Sequence, residues 1–258
     1  MKVVILCGGL GTRLREETEF RPKPMVEIGG KPILWHIMKT FAYHGFKEFV
    51  ICLGYKGKVI KDYFLNYAAM NCDFTTALDG QQRITYHERN EEDFTVTLAD
   101  TGQGTMTGGR VSRIKRYIDS GNSFLLTYGD GVSDANISEF GRYHQSHGKL
   151  ATIMTVRPSV RFGCVKATEQ KRVFEFAEKP VIEGWCSGGL FALRYEAFDY
   201  IGGDDCIFER GPLERLAVDG ELMAWQHEGF SFAMDTYCEW LKLNEMWDSG
   251  NAPWKVWE

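Results

Sequence analysis

The chain lacks the long apolar runs and the basic excess that mark several large classes of protein. No stretch of its 258 residues approaches the roughly 20 apolar residues of a membrane-spanning helix. The apolar run near the first residue is also shorter than a secretion signal requires. The net charge is −5, whereas a binder of nucleic acid or anionic membranes needs a basic face. We therefore expect no nucleic-acid partner, no membrane partner and a cytoplasmic location.

Cysteine is present, but without the spacings that give it a structural role. The seven cysteines are odd in number and scattered, and they form no C-x-x-C pair or Cys/His ligand set. This pattern argues against a disulfide framework and against a zinc site. Low-complexity tracts and Pro/Gly/Ser-rich linkers are missing as well, so we predict one domain over residues 1–258.

Strand-like and helix-like patterns alternate along the first 156 residues. Short apolar runs predict strands at 3–6, 49–53, 94–100, 123–130 and 150–156. Apolar residues at helical spacing predict helices at 31–45, 57–68, 109–118 and 136–148. This alternation predicts an α/β fold with a Rossmann-like, open, mostly parallel sheet and helices on both faces. Strand-like pieces at 162–168, 172–178 and 186–193, and helices at 209–219 and 236–248, predict a smaller insertion on the same sheet.

The stretch GGLGTR, residues 8–13, directly follows the first predicted strand. Ligands of open parallel sheets bind beyond the carboxyl ends of the strands, where a glycine-rich turn lets backbone amides approach phosphate oxygens. The spacing is not that of a P-loop, and Leu14 stands where the dinucleotide fingerprint has its third glycine. Arg13 could clamp a phosphate, and Lys23 is held between two prolines. The stretch predicts an anion site; glycines needed only for a tight turn are the alternative.

Two carboxylates follow strand-like runs elsewhere in the chain. Asp130 lies in YGDGVSD, and Asp235 lies in SFAMDT. Each could be no more than a turn or helix-capping residue. Together with a loop that cradles phosphates, however, they supply the hard oxygen ligands that Mg²⁺ shares with a nucleotide. We therefore predict a Mg²⁺–nucleotide site.

The motifs GGLGTRL, RPKPMVEIGGKPILWHIMK, DTG followed by TGGR, YGDGVSD, FAEKP, SGG and MDT occur in this order. In these motifs the chain resembles the sugar-phosphate nucleotidylyltransferases over essentially its whole length, and its TGGR and APWKVWE segments resemble the cytidylyl branch. The resemblance implies a homo-oligomeric, Mg²⁺-dependent enzyme that converts CTP and α-D-glucose 1-phosphate into CDP-glucose and pyrophosphate. It also suggests a place in dideoxyhexose synthesis for surface polysaccharide.

The resemblance further implies roles for individual residues. It assigns nucleotide binding to Leu6, Cys7, Gly8, Gly9, Leu10, Gly11, Thr12, Arg13, Lys23, Thr105, Arg110 and Gly129. It assigns catalysis to Arg13, Lys23, Asp130 and Asp235, of which the two aspartates would hold Mg²⁺. It assigns sugar-phosphate binding to Glu178, Lys179, Gly188 and Gly189. Residues 1–135 would then bind mainly the nucleotide, and 136–258 would bind mainly the sugar phosphate and carry the C-terminal helices.

The candidates for recognition of the base lie in TMTGGR, residues 105–110. Cytosine offers acceptors at O2 and N3 and a donor at its N4 amine. Arg110 could donate to the two acceptors, and Thr105 or a nearby carbonyl could accept from the amine. The alternative is that GGR only opens the next helix and that Arg110 is solvated.

The sequence departs from the family pattern at two positions on the sugar side. Ser187 precedes Gly188 where the family commonly has Asn, and Phe208 precedes Glu209 where a Trp is expected. These departures leave the identity of the hexose more open than the nucleotide transfer. Two other functions also remain open: an enzyme that uses UTP or dTTP, and a sugar-nucleotide-binding protein without catalysis.

Overall fold

The computed structural model describes residues 1–79, 83–87, 92–157, 162–178, 180 and 184–258. In chain order, the strands are β1 (Val3–Cys7), β2 (Glu27–Ile28), β3 (Lys31–Pro32), β4 (Glu48–Leu53), β5 (Phe74–Thr76), β6 (Ile84–Tyr86), β7 (Thr95–Asp100), β8 (Ser123–Tyr128), β9 (Gly131–Ser133), β10 (Ala151–Val156), β11 (Cys164–Ala167), β12 (Val173–Ala177), β13 (Cys186–Arg194), β14 (Leu222–His227) and β15 (Ser231–Ala233).

The helices lie between these strands. They are α1 (Arg15–Thr18), α2 (Ile33–Tyr43), α3 (Gly57–Leu65), α4 (Tyr67–Asn71), α5 (Thr107–Arg113), α6 (Ile137–His147), α7 (Pro212–Val218) and α8 (Tyr237–Asp248). Short 3₁₀ helices cover Lys23–Met25, Lys115–Tyr117 and Tyr195–Tyr200. No helix in the described ranges is long and apolar enough to cross a membrane.

Seven strands form the main sheet in the order β14-β10-β13-β8-β1-β4-β7. β13 runs antiparallel to both of its neighbours, and the other pairs are parallel. From β1 the chain continues to β4 and β7 on one side and then returns to β8 on the other. The strand order therefore reverses between β1 and β8, which is where ligands bind in open α/β sheets. The predicted open, mostly parallel sheet is confirmed.

The sheet is buried on both faces because the side chains of a strand alternate between them. Val3 and Ile5 of β1 join one apolar cluster together with residues of α2. Val4 and Leu6 join a second cluster, which contains Val111 of α5 and residues of the Tyr195–Tyr200 and α7 segments. The prediction of helices on both faces is thus confirmed.

Three details differ from the sequence-based predictions. Within the described residues, β11 and β12 pair with each other in a separate two-stranded sheet, so of the three strand-like pieces expected in the insertion it is β13 that joins the main sheet. The helix predicted over 109–118 begins two residues earlier, at Thr107, and ends at Arg113, where a 3₁₀ helix over Lys115–Tyr117 follows it. The edge strand β14 was not predicted, because LMAWQH has no run of β-branched residues.

The last residues of the chain pack against α2. Trp254 is fully buried, and together with Trp247 of α8 it surrounds the imidazole of His36. Burial lowers the pKa of His36 to about 4, despite its contact with the carbonyl of Ile28. The tail and α8 are thereby fixed to the main body, which also fixes the segment just before α8.

Candidate active site

The predicted site residues come from segments that meet at the carboxyl ends of β1 and β8. The glycine-rich loop follows β1, and Gly129 and Asp130 follow β8. The amide of Gly129 donates to the carbonyl of Leu6 at 3.1 Å, which joins the two strand ends. Asp235 lies between β15 and α8, and β15 pairs with β9 immediately after Asp130. The sheet topology therefore brings together two acids that are far apart in the sequence.

Lys23 lies between these two acids. Its Nζ donates to Oδ2 of Asp130 and to Oδ1 of Asp235, each at 2.6 Å, and its side chain is only 10% exposed. Arg13 Nη1 donates to the other oxygen of Asp235 at 2.8 Å from a 66% exposed position. The structure thus gathers all four residues with predicted catalytic roles into one charged cluster.

The backbone at Asp235 is held by the start of α8. The Glu239 Oε2 atom accepts from the amides of Asp235 and Thr236 at 2.8 and 2.7 Å. Thr236 in turn caps the helix by accepting from the amide of Glu239. This capping box gives hydrogen-bond partners to backbone amides that the start of a helix otherwise leaves unpaired. It also fixes the backbone position of Asp235.

A cavity of about 330 Å³ contains this charged cluster. It is lined by Leu6, Cys7, Gly8, Gly9, Gly11, Thr12, Arg13, Lys23, Pro24, Thr105, Met106, Thr107, Arg110, Tyr128, Gly129, Asp130 and Asp235. Leu10 is the predicted nucleotide residue that this set lacks. Its side chain is 56% exposed and lines a neighbouring cavity beside Arg15 and Tyr55. Because Leu10 is at the tip of the loop, its side chain faces outward.

Gly129 lines this cavity and also lets two segments pack closely. A Cβ at this position would lie 2.8 Å from Sγ of Cys7 and 2.9 Å from Cγ of Pro24. The missing side chain therefore lets β8 pack against β1 and against the segment of Lys23.

Arg110 is buried beneath the glycine-rich loop and is 4% exposed, so the alternative of a solvated side chain is wrong. Its guanidinium donates to Thr101 Oγ1 and to the carbonyls of Gly8, Leu53, Gly102 and Gln103. A Cβ at Gly8 would lie 2.2 Å from the guanidinium carbon, so only glycine permits this approach. Burial lowers the pKa of Arg110. The side chain thus connects the segments that surround the first cavity.

A second cavity, of about 350 Å³, adjoins the first. It is lined by Ile37, Thr40, Phe41, Thr127, Tyr128, Asp130, Gly131, Val132, Ser133, Ile137, Met154, Val156, Ser187, Gly188, Gly189, Leu190, Ser231, Phe232 and Ala233. Tyr128 and Asp130 line both cavities. Gly188 and Gly189, two of the residues predicted to bind the sugar phosphate, are part of this lining. Each half of the chain contributes to both cavities, since α2 lines the second and Asp235 lines the first.

The other two predicted sugar residues are not in this cavity's lining. Glu178 follows β12, and its Oε2 would lie 3.1 Å from a Cβ at Gly163. The structure therefore places Glu178 beside the β11–β12 sheet rather than in either cavity. Lys179 lies outside the described residues. The sugar pair expected from FAEKP remains a prediction.

Sequence reasoning missed Tyr128. Its ring lines both cavities, and its hydroxyl donates to Oε1 of Glu209. Burial and the adjacent Glu209 carboxylate raise the pKa of Tyr128, so the phenol stays protonated. An aromatic residue directly before GDG at a strand end was the available signal.

The donor chemistry of the cluster fits a magnesium–nucleotide complex. Among the residues that the structure describes, no group of three or more His, Cys, Asp or Glu side chains is placed to hold a metal. Asp130 and Asp235 nevertheless reach one cationic atom together. Two carboxylates are the kind of protein contribution that suits Mg²⁺, which completes its octahedron with phosphate oxygens and water.

Known proteins with similar sequences cover the whole chain. The sequence pattern of the family "Nucleotidyl transferase" matches residues 2–235. The chain is 49% identical to the glucose-1-phosphate cytidylyltransferase of Salmonella typhi over 100% of both sequences. It is 44% identical to the probable glucose-1-phosphate cytidylyltransferase of Bacillus subtilis (strain 168), again over 100% of both.

Solved structures share the fold at lower identity. HddC from Yersinia pseudotuberculosis, complexed with GMP-PN, gives a TM-score of 0.69 at 23% identity, covering 95% of this chain and 99% of that one. An apo UDP-glucose pyrophosphorylase gives a TM-score of 0.68 at 15% identity, covering 96% and 98%. These similarities concern the fold alone.

Proposed function

The chain belongs to the nucleotidyl transferase family, and from this premise we propose that it transfers the cytidylyl group of CTP to α-D-glucose 1-phosphate. The products are CDP-glucose and pyrophosphate. The observation that carries the proposal is the meeting of two cavities at Asp130, beside the cluster of Lys23, Asp235 and Arg13. Full-length relatives of the same activity, at 49% and 44% identity, support it.

The reaction needs positioning and charge neutralisation more than it needs a base. The second pKa of a phosphate monoester is about 6, so the attacking phosphate of the sugar is already largely ionised at neutral pH. It displaces pyrophosphate in line at the α-phosphorus of CTP, where negative charge accumulates. In this proposal the loop of Gly8–Thr12 cradles the triphosphate, Arg13 steadies the departing pyrophosphate, and Lys23 contacts the reacting phosphates.

Mg²⁺ belongs to the proposal as the cofactor, held by Asp130 and Asp235. When bound, it neutralises charge on the phosphate oxygens. The fit rests on the two carboxylates that already converge on the Lys23 ammonium. Lys23 and Arg13 add positive charge beside them, which compensates the acids and favours an anionic ligand.

Base recognition is proposed at the inner end of the nucleotide cavity, by Thr105 and Arg110. Thr105 is buried beside Gly102 in the segment that Arg110 holds. The Arg110 donors are engaged with carbonyls, so donation to cytosine O2 and N3 would replace part of these contacts. On the sugar side, Gly188 and Gly189 line the second cavity, and Glu178 and Lys179 are proposed to bind the sugar phosphate.

Incubation of the purified protein with glucose 1-phosphate, Mg²⁺ and either CTP, UTP or dTTP tests this function. We expect release of pyrophosphate with CTP to exceed that with the other nucleotides by about tenfold or more. Equal rates with CTP and UTP would remove the role assigned to Arg110. Binding without release of pyrophosphate would instead identify a sugar-nucleotide-binding protein.

The proposal also includes homo-oligomerisation, a cytoplasmic location and a role in dideoxyhexose synthesis for surface polysaccharide. Exposed apolar side chains on β5, β6 and the segment between them support an interface; they are Phe74, Leu78 and Ile84. The seven cysteines are free thiols, which a reducing compartment maintains. Sedimentation at equilibrium would test the oligomer.

A further inference from the structure

Tyr128 separates the nucleotide cavity from the second cavity. It is the last residue of β8 and lies two residues before Asp130. A Cβ at Gly189, in the second cavity, would lie 3.1 Å from Cδ2 of the Tyr128 ring. The ring edge also faces Phe191 at a centroid distance of 6.3 Å. The position of this ring therefore sets the shape of the second cavity at this wall.

Glu209 connects the hydroxyl of Tyr128 to helix α5. Its Oε1 accepts from Tyr128, and its Oε2 accepts from Oγ1 of Thr107 at 2.7 Å. The hydroxyl of Thr107 also accepts from the amide of Phe208 at 2.9 Å. Each oxygen of the Glu209 carboxylate therefore accepts from one of two hydroxyls, which links Tyr128 to Thr107.

The segment that carries Glu209 is packed tightly on the start of α5. The carbonyl of Asp204 accepts from Met106, and the carbonyl of Cys206 accepts from Gly108 and Gly109. A Cβ at Gly109 would lie 2.7 Å from Cα of Asp204. The same α5 segment lines the nucleotide cavity. A continuous set of hydrogen bonds thus runs from the base end of one cavity to the wall of the other.

From these contacts we propose that Glu209 and Tyr128 are positioning residues for the sugar phosphate, a role that rests on the proposed function above. Glu209 holds the Tyr128 ring as a fixed wall, so that the sugar phosphate enters beside Asp130 in line with the nucleotide. Neither residue contributes a proton or a charge to the reacting atoms. Their loss acts through misplacement, which alone can cost one or two orders of magnitude.

The test compares Tyr128→Phe, which keeps the ring and removes the hydroxyl, with Glu209→Ala and with the double variant. We expect the KM for glucose 1-phosphate to rise about tenfold in each single variant while the KM for CTP stays within about twofold. The double variant should be no worse than the worse single variant, because both remove the same contact. Glu209→Gln, whose amide oxygen still accepts from Tyr128, should recover most of the KM.

Tyr200→Phe is the matched control, because the Tyr200 hydroxyl donates to Asp219 at 2.8 Å outside both cavities. It should leave both KM values unchanged. Equal rises in both KM values, or no rise with glucose 1-phosphate, would overturn the inference while leaving the proposed function intact. A wild-type protein that releases no pyrophosphate from CTP and glucose 1-phosphate would overturn both.

Discussion

The two ends of strand β8 carry polar clusters of different kinds. At its amino end, Lys149 donates its amide to Nδ1 of His147 at 3.0 Å, so the Nε2 proton of neutral His147 points to Thr152 Oγ1 at 2.8 Å. The Thr152 hydroxyl then donates to Nδ1 of His144 at 2.8 Å, and Nε2 of His144 donates to Ser123 at 3.2 Å. Each of these hydrogen bonds joins two neutral groups.

The cluster at the carboxyl end consists of charges instead. Lys23 holds two carboxylates, and Arg13 shares one of them. These groups line a cavity, whereas His144 and Thr152 are completely buried. Polar groups that are hydrogen-bonded to one another inside the core stabilise the fold and have few free donors or acceptors for a ligand. Charges that converge on a cavity can exchange their partners, so the difference separates structural from functional polar residues.

Neutralising the acids at the carboxyl end of β8 should have the largest effect on activity. Asp130→Asn and Asp235→Asn should each lower turnover by about 100-fold or more, since each removes one of the two carboxylates proposed to hold the Mg²⁺ that neutralises the reacting phosphates. Release of pyrophosphate is the measurement. Asp119→Asn is the control, because Asp119 pairs with Lys2 at the surface. Turnover like that of the wild type in either variant would refute the metal role.

Arg110 combines features of both clusters: it is buried with its donors hydrogen-bonded, and it also lines the first cavity. A lysine ammonium has three donors, so Arg110→Lys leaves at least two of the present contacts unmade. We expect the KM for CTP to rise about tenfold and the free energy of unfolding in urea to fall by about 2 kcal/mol. Arg116→Lys, at an exposed position on the following turn, should change neither. A rise in the KM for CTP without loss of stability would contradict the proposal that Arg110 holds the surrounding loop segments together.

Substitutions in the cluster at the amino end of β8 should have the smallest effect on activity. Burial lowers the pKa of His144 to about 4, whereas an unfolded histidine titrates near 6.5. Between these values the unfolded chain binds the additional proton, so stability is fully present above about pH 6.5 and is lost as the pH falls towards 4. Thermal unfolding across this range should show the decline.

His144→Gln should make the loss of stability at low pH smaller. Part of the loss should remain, because the pKa of His36 is also lowered to about 4. Turnover of the variant at pH 8 should stay within about twofold of the wild type. A large loss of turnover at that pH, with the fold intact, would show that the amino-end cluster is not merely structural.

The structure brings the residues predicted to bind the nucleotide together around one cavity, apart from Leu10, whereas of the residues predicted to bind the sugar phosphate only Gly188 and Gly189 are among the described residues that line the second. The glycine loop, Lys23 and Asp130 each follow a strand or lie between prolines, and such local signals place a residue at the carboxyl edge of a sheet. Tyr128 has a similar local signal at a strand end, but its contacts with Gly189 and Glu209, which are 61 and 81 residues further along the chain, are visible only in the structure. Likewise, the outward direction of Leu10 depends on the loop's tertiary setting. The separate sheet of β11 and β12 could not be predicted, because their apolar patterns predict strands without indicating which strand each one pairs with.

The contact between Lys23 and Asp235 spans 212 positions, which bears on how the protein is made. A ribosome releases the glycine loop early, yet the second carboxylate and the buried Trp254 emerge among the last residues. Because domains generally fold as units, the charged cluster forms only after nearly the whole chain has been made. A fragment that ends between residues 130 and 235 keeps Lys23 and Asp130 but lacks Asp235. We therefore expect such incomplete products to lose at least as much turnover as Asp235→Asn.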